Sequence, residues 1–310
     1  MTTYKIVKVA RHHLHHELCD VATFDPNKLC FGSIETRSIP GSTLKFQKIP
    51  LYCEFEPEKY SPVYFSTPAD CYSYGIQEQN NVTTGMLDGY SIAICVYNPN
   101  NHNPAEVEFM TMFNNLVEHC KGYLTSPQGE DDIGIPLARH QLEKIAAPMF
   151  YKTIDNGKKG KKVLDPSKGP VFYPKLLTQR DRETGTFKLQ TYFSESDGRD
   201  TTGSALDLYR THMRVQAIIM VDSIYVGSNN VIRLQFKVTE VKVTPLANNL
   251  TRFLLPSAPT TSGAVAAEPT GPTRSPVAHG DLQTEEWPTI ETRSPEAASR
   301  FAALDQDCGE

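Results

Sequence analysis

The sequence predicts an α+β fold with a β-rich body, on three observations. Two long runs rich in β-formers occupy 214–226 and 231–243, the second mostly alternating apolar with polar residues. A helical stretch is inserted mid-chain after Asn103, and apolar periodicity disappears beyond Leu255.

The two long runs form a β-hairpin turned by Gly227-Ser-Asn-Asn230. In the second, Val231, Leu234, Phe236, Val238, Val241 and Val243 mostly alternate with polar residues. Changes of phase near Arg233 and Glu240 predict bulges. Shorter runs of β-formers at Val63–Ser66 and Tyr90–Tyr97 read as further strands.

Asn103 is a helix cap with Pro104 in the first turn, and Gly122 is the expected stop. Val107, Met110, Phe113 or Asn114, Val117 and Cys120 share the face expected to turn inward. A second, short helix is expected from Leu137 to Ala146, ending before Pro148. Strands interrupted by helices predict a small, OB-like β-barrel elaborated by the inserted helices.

The body is assigned to residues 1–255, with 1–44 as a peripheral extension. The Pro/Ala/Thr-rich segment 256–310 is expected to be disordered, because it cannot bury enough apolar surface to offset its ordering entropy. That segment holds nine acids against three arginines. Its net charge of −6 leaves +1 on residues 1–255 of a chain whose formal total is −5. Its end, Phe301-Ala-Ala-Leu-Asp-Gln-Asp-Cys-Gly-Glu310, suits docking on a basic partner such as a replication protein, or folding back over a cationic surface.

No apolar run reaches the roughly 18 residues of a membrane span, and the N-terminus lacks a signal-peptide pattern, so an intracellular, non-secreted protein is expected. Seven scattered cysteines without a Cys-x-x-Cys pair argue for buried thiols rather than a disulfide framework or zinc ribbon. The sequons at Asn81 and Asn249 are then chance matches.

Phosphate-loop, dinucleotide-binding and nucleophile-elbow signatures are absent, so no enzyme activity and no cofactor are assigned. The cluster Arg11-His-His-Leu-His-His-Glu17 groups His12, His15 and His16 at helical spacing. A surface histidine cluster fits it better than a metal site, and no metal is assigned. The polar stretch Ser196–Gly203 reads as a connector rather than a phosphate loop.

One segment points to a partner. Between Lys152 and Lys188 stand ten Lys/Arg against four acids, a local excess of +6. The aromatics Phe150, Tyr151, Phe172, Tyr173, Phe187, Tyr192 and Phe193 thread through this segment and its edges. Cations neutralise a phosphate backbone and aromatic faces stack on unpaired bases. The candidate nucleic-acid-binding residues are Lys152, Lys158, Lys159, Lys161, Lys162, Lys168, Lys175, Arg180, Arg182 and Lys188, with Phe172 and Tyr173 as the stacking faces. The competing reading makes Asp155-Asn-Gly157 and the following lysines a solvated hairpin tip, and the aromatics inward residues of strands.

Thr67-Pro-Ala-Asp-Cys-Tyr-Ser-Tyr-Gly-Ile-Gln77, the strand Gly89–Ile94, the helix from Glu106 to Leu124, Pro148–Tyr151 with Lys168–Leu176, and Ile224–Gly227 with Leu234–Val238 follow in this order. Together, over roughly residues 45–245, they resemble early proteins of iridoviruses and related nucleocytoplasmic large DNA viruses. The resemblance implies a β-rich viral protein, linked to single-stranded DNA binding in genome replication inside the infected cell. It brings no binding-residue motif. The expected function is therefore non-catalytic, largely sequence-independent binding of single-stranded DNA, with RNA as a further ligand. The alternative is a virion or assembly-site protein that contacts other proteins through its tail and sheet edges.

Overall fold

The computed structural model describes residues 4–9, 14–38, 45–80, 85–146, 148–155, 162–181, 183–227 and 231–245. The strands, in chain order, are β1 (Lys5–Val7), β2 (Leu29–Gly32), β3 (Glu35–Ser38), β4 (Lys45–Glu56), β5 (Lys59–Ser66), β6 (Cys71–Asn80) and β7 (Leu87–Cys95). Two helices follow, α1 (Pro104–Leu124) and α2 (Pro127–Ile133). A series of short strands comes next: β8 (Met149–Phe150), β9 (Thr153–Asp155), β10 (Lys162–Leu164), β11 (Val171–Phe172), β12 (Lys175–Leu176), β13 (Thr178–Arg180), β14 (Phe187–Leu189) and β15 (Tyr192–Glu195). The long strands β16 (Met213–Gly227) and β17 (Ile232–Pro245) close the described chain.

Thirteen strands share one sheet, and within it β16, β17, β12, β7 and β6 pair in a ring that returns to β16. This ring is a closed five-stranded barrel. The fold is thus α+β and β-rich, a small barrel elaborated by helices and extra strands, as the sequence predicts. Strand β16 is long enough to serve two layers. Met213–Val215 pair with β6 in the barrel, Ile218–Val221 pair with β5, and Ser223–Gly227 pair with β4.

The predicted hairpin is present, with its two irregularities where one strand carries an extra residue. Thr239 is skipped between Ile218↔Glu240 and Ile219↔Val238, matching the bulge expected near Glu240. The other lies on the opposite strand at Asp222, between Val221↔Phe236 and Ser223↔Gln235, and not near Arg233. The bulge aims the Asp222 carboxylate at Lys48 Nζ (2.8 Å) and Lys237 Nζ (3.4 Å). Burial pushes this carboxyl up, but the two lysines outweigh it and hold Asp222 below the usual range.

Helix α1 begins as predicted. Asn103 Oδ1 accepts from Glu106 N (2.9 Å), and Asn103 Nδ2 donates to Glu106 Oε1 (3.3 Å). It does not stop at Gly122 but runs to Leu124, where Thr125 ends it. Gly122 serves packing instead, since a Cβ there would sit 2.3 Å from the Tyr4 hydroxyl. The buried face is rotated from the predicted one. Phe109, Met112, Phe113, Leu116, Val117, Cys120, Tyr123 and Leu124 face inward, while Val107 is exposed. Phe109 and Phe113 decide the rotation by packing on the barrel: Phe109 contacts Phe65, and Phe113 stacks on Phe236 (5.5 Å between centroids). Each such ring contributes roughly 1.5–3 kcal/mol through burial.

The helix expected over Leu137–Ala146 is only a 3₁₀ turn at Arg139–Leu142, and α2, capped by Ser126, takes the place next to α1. Where it is described, the N-terminal segment packs on the body from one end of the sheet. β1 and β2 extend the main sheet, and Phe31 is buried and stacked on Tyr123 at 3.8 Å. Five of the six described cysteines are buried, Cys95 being half-exposed. No helix among the described residues is long and apolar enough to cross a membrane. The segment 256–310, expected to be disordered, lies outside the described residues.

Candidate nucleic-acid interface

The cationic segment is threaded into the barrel wall, not laid along it as one groove. Strand β11 pairs β7 on one side and β8 on the other, and β12 completes the ring between β7 and β17. Two hairpins project from this wall, β9–β10 and β13–β14. The lysine-rich tip predicted in the first, beyond Asp155, lies outside the described residues.

This threading divides the predicted cations into two groups. Lys152 and Lys168 lie with the first hairpin, both exposed, on either side of Asp165. Hydrogen bonds from Ser167, and then these two lysines, hold the Asp165 carboxyl below its usual range. Arg180 and Lys188 are exposed on the second hairpin, with the Arg180 guanidinium 5.7 Å from the Phe187 ring centroid. Lys175 stands in the wall opposite Ser91. Burial raises the Asp88 carboxyl against the opposing pull of nearby Lys175 and Arg180. The first group adjoins β11 opposite Cys95, and the second adjoins β7 near Asp88–Ser91. The spacing along β7 between these points is roughly 13–23 Å. Lys158, Lys159, Lys161 and Arg182 lie outside the described residues, and of Lys162 the backbone alone is described.

The stacking assignment needs correction. Phe172 is fully buried, with its ring packed edge-on against Phe113 (5.7 Å) and Phe236 (5.2 Å). A ring enclosed in this way offers no face to a base. Phe193 is buried too, and Tyr173 is half-buried, its backbone N–H donating to Pro148 O (2.8 Å). The rings that reach solvent are Phe150 (47% exposed), Tyr151 (39%) and Tyr192 (42%). Pleat alternation explains the exchange. Phe172 opposes buried Met149 on the inner face of the ladder, and Phe150 opposes Val171 on the outer face.

The register carries that outer row further. Phe150 on β8 stands opposite Val171 on β11, Val171 opposite Cys95 on β7, Cys95 opposite Tyr72 on β6, and Tyr72 opposite Arg214 on β16. Sequence reasoning missed Tyr72, Tyr74, His212 and Arg214. The alternation Tyr72-Ser-Tyr74 was the available signal, but it does not tell which face of the strand is wet.

Elsewhere the polar residues satisfy one another. In the polar stretch Ser196–Gly203, Arg199 pairs with Glu195 and with Asp197 (3.2 Å). His15 and His16 are exposed, with His16 Nδ1 3.3 Å from the Tyr64 hydroxyl, while His12 lies outside the described residues.

An elaborated barrel carrying exposed rings beside cations on its outer wall is the class that fold and site define. The family of proteins of unknown function DUF2738 matches residues 22–270, and the chain belongs to that family. None of the curated proteins matches the sequence. Among solved structures, the chain is similar to gp2.5, a single-stranded DNA binding protein encoded by bacteriophage T7. The identity is 11% and the TM-score 0.37, over 63% of this chain and 98% of that one. A likeness of that size is too slight to define a ligand.

Proposed function

We propose that this protein is a non-catalytic, largely sequence-independent binder of single-stranded DNA. The observation that carries the reading is the β8 edge, where exposed Phe150 and Tyr151 run directly into exposed Lys152. Large rings left in water are unfavourable unless something covers them, and a flanking cation suits a covering group that bears phosphate. Lys168 is exposed close to the β9–β10 hairpin, and four further lysines follow Lys152 in sequence, at 158, 159, 161 and 162. The setting in viral genome replication, within an infected cell, belongs to the same proposal and is supported by the family resemblance of Thr67–Gln77 and the segments that follow it.

Fluorescence anisotropy with a labelled oligothymidine tests the reading. Binding should weaken steeply with salt, and Phe150→Ala/Tyr151→Ala should lose about 1–3 kcal/mol for each base that no longer stacks. An oligothymidine that fails to bind at low salt, or a double variant that binds as tightly as the parent, overturns it.

A second reading, an assembly protein, draws on the β9–β10 hairpin. There Ile154 and Val163 oppose each other, both exposed, and Leu164 is 60% exposed. Such aliphatic surface suits a protein partner better than a base. Replacing Ile154, Val163 and Leu164 by Ser should abolish partner capture while leaving oligonucleotide affinity intact if this reading holds.

A further inference from the structure

We infer that the bound strand continues from the β8 edge across the outer barrel wall, over Val171 and Cys95, to a second stacking and phosphate site made by Tyr72, Tyr74, His212 and Arg214. The inference rests on the single-stranded DNA reading above and assigns residues to that ligand which the cationic segment does not contain.

The cross-strand row is the first ground. Five residues on five adjacent strands, Phe150, Val171, Cys95, Tyr72 and Arg214, oppose one another in sequence and share one face. Their inward neighbours Met149, Phe172, Ile94, Ser73 and Met213 are all buried, so the row faces out. Four strand spacings of roughly 4.8 Å make it about 19 Å long. That length suits the lower end of the roughly 4–16 nucleotides engaged by a barrel of this size.

The chemistry at the far end is the second ground. The Arg214 guanidinium lies 5.7 Å from the Tyr72 ring centroid, and Tyr72 and Tyr74 meet edge to face at 5.3 Å. His212 contacts both rings edge-on, and its Nδ1 is hydrogen-bonded to the Tyr72 hydroxyl. A cation over an aromatic ring beside an imidazole brings together, on a different part of the chain, the same residue types that follow one another at Phe150–Lys152. The middle of the row is formed by the small, half-exposed side chains of Val171 and Cys95.

The third ground is how the fold builds this end. Gly75, at φ +81°, resets the strand after Tyr74, and a Cβ there would lie 2.5 Å from Thr211 N. The absent side chain lets residues 208–211 close on β6, with Arg210 N donating to Ile76 O (2.9 Å). That closure delivers His212 to the two rings.

Cys95 gives a direct readout in the unaltered full-length protein. Its alkylation by a maleimide is followed by peptide mass spectrometry, with and without a saturating oligothymidine. The track predicts at least several-fold slower modification of Cys95 in the complex. It also predicts that Tyr72→Ala/Tyr74→Ala weakens binding about tenfold or more, and that Arg214→Gln lowers the salt slope by about 0.7. If the oligothymidine binds but Cys95 reacts at an unchanged rate and the tyrosine variant keeps full affinity, the track is wrong and the β8 reading stands. If no oligothymidine binds at all, both fall together.

Discussion

Phe150 and Phe172 belong to neighbouring strands of one ladder yet face opposite sides of it: Phe172, opposite Met149, is sealed against Phe113 and Phe236, whereas Phe150, opposite Val171, is 47% exposed. One ring helps hold helix α1 to the barrel, and the other is free to meet a ligand. The two should therefore separate stability from binding. Phe172→Ala is expected to cost about 3–5 kcal/mol, because it opens a cavity between α1 and β17. Phe150→Ala should change stability by no more than about 0.5 kcal/mol while weakening oligonucleotide binding. Urea denaturation and anisotropy on the two variants measure both quantities, and a stability loss at Phe150 equal to that at Phe172 would contradict the assignment.

The Asp222 carboxylate, held between Lys48 and Lys237 at the β16 bulge, should make stability depend on pH. Its folded value is depressed, so the stabilising interaction is fully present above the unfolded value of about 3.9 and is lost as pH falls through the folded value. Asp222→Ala should lower stability by about 1.5–3 kcal/mol at neutral pH, with the gap to the parent closing in strong acid. Urea titrations across the acid range would show this convergence. Parallel pH profiles for parent and variant would mean that the carboxylate contributes nothing.

Gly75→Ala should be destabilising by about 1–2 kcal/mol from the left-handed backbone alone, with more from the approach of the new Cβ to Thr211 N. Because residues 208–211 would be pushed off β6, His212 should leave Tyr72 and Tyr74, which its ring-proton shifts in NMR would report. Unchanged His212 resonances together with parental stability would show that the close approach is not needed.

The two cation groups should differ in their contribution to salt dependence. Lys152→Gln/Lys168→Gln is expected to reduce the slope of log affinity against log salt by about 1.4, two phosphates at about 0.7 each. Arg180→Gln/Lys188→Gln should reduce it by less, since these residues stand on the other hairpin, away from the exposed rings of the β8 edge. Equal slope changes for the two pairs would mean that the strand runs along both hairpins.

The barrel was legible in the sequence where runs were long. The β-formers of 214–226 and the alternation over 231–243, punctuated by Gly227–Asn230, are enough to define β16 and β17, and the break at Glu240 marks the bulge at Thr239. Asn103 and Pro104 likewise announce where α1 begins, because a cap is a local hydrogen-bonding device. The end of that helix was not legible: Gly122 looks like a stop but is needed for the approach of Tyr4, a contact 118 positions away in the chain. Two-residue strands such as β8 and β11 are too short for alternation to reveal which side is buried, so the sequence alone does not tell buried Phe172 from exposed Phe150.

By itself, the sequence determined the β-rich class, the main hairpin, the helix start and the presence of a basic, aromatic segment, since each of these is written in neighbouring residues. Only the tertiary structure decided which rings are wet, how the cations divide between the two ends of β7, and that Tyr72 and Arg214 join Phe150 in one row. Strand register fixes all three. It is set by packing between segments far apart in the chain, where a shift of a single residue would turn every side chain to the other face.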